Sequence, residues 1–219
     1  EGAMASAFIP LYRRKLSEDG QNAARHFSGQ VAVLLTVILG LLVIVAQIFM
    51  PQIISLMMPG YEDKPELLKT AIAVTRVASP YLWLIAIVSL LCAILNSSGR
   101  FFSSGIAPAF LNIGLIAAVV MASFISKNPQ DVAYKAVWFA SYAMVIIGFI
   151  QTWWLWKECK HHQVSPFLKL TKPDKNIRKL GKKMVPVALG SSVQQFNLLI
   201  STSYASIVAG GISFIYYVD

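Results

Sequence analysis

Residues 27–61 read FSGQVAVLLTVILGLLVIVAQIFMPQIISLMMPGY, a stretch without a single Asp, Glu, Lys or Arg. A helix needs about 20 apolar residues to cross a hydrocarbon core of about 30 Å. This stretch exceeds that length before Pro51 interrupts it. Outward from it, charge is equally absent over Val77–Gly99, Phe101–Ser126, Ala136–Trp156 and Met184–Val218. A soluble core has no use for five such runs, and none alternates in the manner of a barrel strand. The pattern predicts an all-α polytopic membrane protein.

Composition agrees. Of the 219 residues, 56% are hydrophobic and 13% charged, where a soluble domain carries about a quarter charged. Mean hydropathy is +0.61. The sequence opens at Glu1-Gly2-Ala3 in mid-pattern, without an initiator Met or leader, and stops at Asp219 inside a new apolar stretch. It therefore reads as an excerpt of a longer chain.

Turn signals divide the chain. A span end is expected over about 1–16, and spans over about 26–57, 70–95, 102–125 and 132–156, which together make residues 1–156 one helical unit. A basic linker fills 157–183, and 184–219 begins a second unit. In the linker, Ile177, Leu180 and Met184 fall at helical spacing with cations between them. This amphipathic segment reads as a charged connector into the next span, or as a patch for anionic lipid headgroups.

The net charge of +9 serves topology here rather than nucleic-acid binding. Loops 11–25, 96–104 and 157–183 carry four, one and nine Lys or Arg, whereas loops 58–69 and 126–135 carry two each. The positive-inside rule puts the first set in the cytoplasm. Cys92 in a span and Cys159 in the basic loop suggest no disulfide framework.

Candidate functional residues are few. Apart from Lys135 in the first turn of its span, Arg76 is the one Lys or Arg inside an expected span, either a cavity charge for an anionic substrate or a side chain snorkelling from its place two turns beyond Lys69. In the span after the linker, Gly190, Gln194, Asn197, Ser201 and Tyr204 recur every three or four residues and share a helical face, which Ser191, Gln195 and Ser203 broaden. Such a stripe either lines a hydrated cavity or glues packed helices. Glu1 and Asp219 are carboxylates beside apolar helix, either functional or interfacial. Cys159-Lys160-His161-His162 matches no zinc spacing and reads as a solvated loop, so no metal and no cofactor is expected. Prolines 51, 80, 108 and 186 mark kinks. No nucleophile–base set or phosphate loop can be assembled, so no enzyme is expected.

Several motifs occur together and in order: Glu1-Gly2-Ala3 with Ala7-Phe8-Ile9-Pro10, Pro59-Gly60-Tyr61, Ser79-Pro80-Tyr81, Ala93-Ile94-Leu95-Asn96 with Arg100-Phe101, Ala107-Pro108 with Leu111-Asn112, Pro186 with Leu189-Gly190, and Ser213-Phe214-Ile215-Tyr216-Tyr217-Val218-Asp219. Across the whole chain they resemble the MurJ (MviN) family of lipid II flippases. Val185 before Pro186, and Phe214 and Val218 in the final motif, depart from the family pattern as apolar swaps. The resemblance implies a MOP/MATE-like bundle of two lobes around a central cavity, with about six to seven of an expected fourteen spans in this chain.

By the same resemblance, Glu1, Ser213 and Asp219 fall at cavity positions, and the helix carrying Gln194, Asn197 and Ser201 lines that cavity. The implied activity is transport of a lipid-linked peptidoglycan precursor from the cytoplasmic to the periplasmic leaflet of the bacterial inner membrane by alternating access, with a coupling ion or the membrane potential open as the energy source. A cation-coupled drug or polysaccharide exporter of the same superfamily, and a non-transport scaffold for cell-wall synthesis, are the rival readings.

Overall fold

The computed structural model describes residues 2–61, 63–168 and 175–207. The described residues form helices and connecting turns, with no strand among them. The helices are α1 (Gly2–Ile48), α2 (Met50–Met57), α3 (Pro65–Ala78), α4 (Tyr81–Ser97), α5 (Phe101–Ile125), α6 (Pro129–His161) and α7 (Lys175–Ile207), with a 3₁₀ turn at Pro59–Tyr61 between α2 and α3. Among the described residues, four stretches are long and apolar enough to cross a membrane: Ser6–Ile48, Pro65–Ser97, Phe101–Ile125 and Pro129–His161. The all-α membrane architecture read from the sequence is the one the chain adopts. α7 is helical over 33 residues but is not among those four. Gln194, Gln195, Asn197 and the serines around them lower its hydropathy.

Breaks inside these paths follow from individual residues. α1 is two helical arms joined at Gly20, whose φ of 83° and ψ of 175° suit glycine alone. The turn folds the chain back so that Phe8 stacks on Phe27, ring centroids 5.7 Å apart. The loop expected between the first two spans is thus a one-residue hinge. Pro51 and Pro80 bend the paths between α1 and α2 and between α3 and α4. Proline has no N–H for the carbonyl four residues back, which for Pro80 is that of Arg76. The side-chain amide of Gln47 donates to that carbonyl instead, at 2.8 Å, and to Ser79 Oγ at 2.9 Å.

Pro65–Ser97 is the central path, half buried in its most apolar window, whereas the corresponding windows of α5 and α6 are 11% buried. The core gathers Phe8, Tyr12, Phe27 and Val31 of α1, Leu91, Ile94 and Leu95 of α4, Leu155 and Cys159 of α6, and Leu180 of α7. Outward-facing side chains such as Val37, Leu41, Ile48, Ile116, Phe124, Ile146 and Phe149 are large, apolar and exposed. Between helices of this length such a surface meets lipid.

Deep in the α5–α6 seam, Gln151 is buried and donates from Nε2 to the carbonyl of Ala107, beside the proline kink at Pro108. An amide held in this way joins two spans, the pairing lipid favours for polar side chains.

Candidate functional site

Helical hydrogen bonding outruns the apolar runs at both ends of the bundle. α3 starts at Pro65, five residues before the expected span, with proline suited to a first turn and Glu66 beside it. α6 starts at Pro129, capped by the Asn128 side chain accepting from the Gln130 N–H, and continues to His161. At 33 residues it is about 50 Å long and overshoots a hydrocarbon core. Its last turns therefore stand in the interface. Lys157 Nζ lies 4.0 Å from the ring centre of Trp153 there, a cation–π contact.

The three segments that together carry fourteen of the loop Lys and Arg meet at one end. Arg13 donates to the carbonyls of Ser97, at 3.3 Å, and Asn96, at 3.4 Å. Gln21 donates to the carbonyl of Gln163 at 2.9 Å. Arg25 donates to the Ser165 carbonyl at 2.9 Å and to Ser165 Oγ at 3.0 Å, with its guanidinium carbon 3.8 Å from the centre of the Phe167 ring. The Phe167 N–H returns a bond to the Arg25 carbonyl at 3.1 Å. The strap of residues 163–168 after α6 is therefore fastened to α1. Gly29 permits this approach, because a Cβ there would overlap the Phe167 carbonyl.

The amphipathic segment is the start of α7 and runs without a break into the helix that follows it. Leu180 is buried, Ile177 and Met184 pack against the protein core, and Lys179 and Lys182 are exposed. Farther along α7, Gly190, Asn197 and Tyr204 lie on an exposed face with Val193 and Ile200, while Ser201 is half-buried and Thr202 buried. The helix is described through Gln194, but that side chain is not. Glu1, Ser213 and Asp219 lie outside the described residues. Arg76 sits in the last turn of α3, exposed, about 17 Å along the helix from Pro65. Its helix begins four residues before Lys69.

Cys159 corrects the sequence reading. It is not in a solvated loop: it is fully buried in the last turn of α6, with Sγ 4.0 Å from the Leu91 carbonyl. The residue that joins the histidine pair is Glu158, one position earlier, its carboxylate 3.5 Å from His162 Nε2. Placing the end of α6 at Trp156 hid this. A helix continued to His161 puts Glu158, His161 and His162 at i, i+3 and i+4, on one face.

A helical bundle with an apolar outer belt, alternating polar ends and a polar stripe on one helix defines a multi-pass membrane protein. A family model described as "Lipid II flippase MurJ" matches residues 1–219, and the chain belongs to that family, a family of bacterial transporters. Among its relatives are proteins named probable lipid II flippase MurJ from Rhizobium meliloti (strain 1021), 30% identical over 220 residues, and Rickettsia prowazekii (strain Madrid E), 32% identical over 219 residues. Both alignments take in 100% of this chain but 40% and 41% of the relatives, so the chain spans about two-fifths of their length. A solved structure titled "Lipid II flippase MurJ, inward closed conformation" shares the fold, with a TM-score of 0.72 over 99% of this chain and 42% of that one, at 24% identity.

Proposed function

We propose that the protein containing this chain flips lipid II, the lipid-linked peptidoglycan precursor, from the cytoplasmic to the periplasmic leaflet of the inner membrane by alternating access. Family membership over residues 1–219 carries this reading. The physical task is to move a charged diphosphate and its sugars through a layer where each unsolvated polar group costs several kcal/mol. A hydrated cavity between two helical units offsets that cost while the lipid tail stays in the bilayer, and rocking of the units changes the leaflet the cavity faces.

In this reading residues 1–156 belong to one unit, 157–183 link the units and 184–219 begin the other. Glu1, Gln194, Asn197, Ser201, Ser213 and Asp219 line the cavity: the amides and hydroxyls bond sugar or peptide groups, and the two carboxylates orient cavity cations. The exposure of Asn197 on α7 supports its share of this role, since packing does not consume it. Arg76, exposed in the last turn of α3, serves as a cavity or interface cation. Lys179 and Lys182 face outward, where they attract anionic headgroups. An ion gradient or the membrane potential supplies the energy.

The test uses the full-length protein in cells depleted of their own flippase and measures the precursor accessible at the periplasmic face. Restored accessibility that falls to the depleted level on Asp219→Ala or Asn197→Ala supports both the function and the cavity. Restoration indifferent to either change keeps the function and removes those residues from the site. Failure to restore, with normal membrane insertion, overturns the flippase reading.

A further inference from the structure

The end of α6 holds a group to which the proposed transport assigns no role. Glu158, His161 and His162 each turn one ligand atom toward the others, all within 4.8 Å, with Glu158 and His162 half-buried and His161 exposed. The Glu158 Oε2 to His162 Nε2 separation of 3.5 Å is long for a good hydrogen bond. It matches two ligands on one metal: bonds of about 2.0–2.2 Å at tetrahedral angles set ligand atoms about 3.4 Å apart. The His161 ring stands edge-on to that of His162, centroids 4.8 Å apart. Its exposure lets a side-chain rotation close the remaining distance.

We propose that Glu158, His161 and His162 form a binding site for a divalent transition metal, with Zn²⁺ the representative ion, at the basic end of α6.

Two imidazoles and one carboxylate are ligands for zinc, nickel or copper rather than for calcium or magnesium, which take oxygen. Three protein ligands leave the fourth position open. Beside the group lies a cavity of about 590 Å³ lined by Glu158, His162, Arg100, Trp154 and the first residues of α5. It supplies a path for the ion and space for a water or an anion as fourth ligand, and the Arg100 charge favours an anion there. Of the neighbouring cations, Lys157 is drawn over the Trp153 ring. The inference stands independently of the transported substrate.

The experiment takes tag-free full-length protein in detergent, stripped with chelator, and titrates it with Zn²⁺ alone. Binding is read by calorimetry, and Co²⁺ substitution reports coordination through its visible spectrum. Expected is saturable binding at one ion per chain that weakens at least about tenfold in each of Glu158→Gln, His161→Ala and His162→Ala. Lys160→Ala, on the same turn, retains wild-type affinity. All four positions are at least partly exposed, and an unchanged unfolding temperature without metal checks that each variant is folded. Absence of saturable binding, affinity unchanged in the three ligand variants, or loss with the histidine changes but not with Glu158→Gln would each overturn the site.

Discussion

At Gly29 a single missing methyl group decides where the chain goes after α6. The strap backbone crosses α1 so closely that a Cβ at this position would overlap the carbonyl of Phe167. Backbone cannot swing aside as a flexible side chain does, so Gly29→Ala must lift the strap. The Arg25 bonds to Ser165 and the Phe167 N–H bond are then strained or lost, a cost of about 1–3 kcal/mol. Hydrogen–deuterium exchange should show faster exchange over residues 164–168 in Gly29→Ala, while the interior of α4 keeps its protection. Unchanged exchange in the strap would mean that Gly29 is not the point of approach. None of this was legible in the sequence. Gly29 sits inside a charge-free run and reads there as ordinary span, because the strap that crosses it lies about 140 residues later. Glu158 was not legible beside the histidine pair for a local reason: only the helical register through His161 brings it to their face and turns Cys159 inward.

Elements were legible where lipid dictates them and not where hydrogen bonding alone does. Among the described residues, the apolar runs overlap each of the four stretches long and apolar enough to cross a membrane, because hydrophobic length reports the thickness of the bilayer. They could not report that α3 takes in Pro65–Lys69 or that α6 continues through Lys157–His161, since charged residues are good helix formers once outside hydrocarbon. The prolines were legible as breaks, but their compensation was not. Pro80 deprives the Arg76 carbonyl of its helical donor, and Gln47 from another helix supplies the replacement. Gln47→Leu should therefore destabilise the protein in detergent by about 1–2 kcal/mol, read as a lowered thermal unfolding midpoint. Pro80→Ala restores an N–H to that carbonyl, so the double variant should recover much of the loss. Additive losses in the double variant would show that Gln47 acts through something other than the proline gap. The polar stripe on α7 was legible as a periodicity. Whether its residues face packing or open space depends on neighbours, and the structure answers for Asn197 and Tyr204, both exposed.

For the whole molecule, the charge asymmetry and the packing describe one axis. Arg13, Gln21 and Arg25 tie the loops after α4 and α6 to the bend in α1, so the three segments that together carry fourteen Lys and Arg share an end. The two segments that together carry four, around Pro59–Tyr61 and Ser126–Asn128, fall at the opposite ends of the same helices. Fourteen of the cations counted in loops against four would be hard to hold on the outer face. Orientation can be tested on α6 alone. Gln130 and Lys160 are exposed and 30 residues apart on that helix, about 45 Å along its axis and more than the hydrocarbon thickness. The native thiols interfere little, since Cys159 is buried and Cys92 partly so. In intact cells whose outer membrane has been made permeable, a membrane-impermeant maleimide should label Gln130→Cys. Lys160→Cys should react only after the inner membrane is opened. The reverse order would invert the topology and with it the direction of the proposed transport. Labelling of both sites from outside would mean that α6 does not cross the membrane, leaving the cavity reading of α7 without its frame.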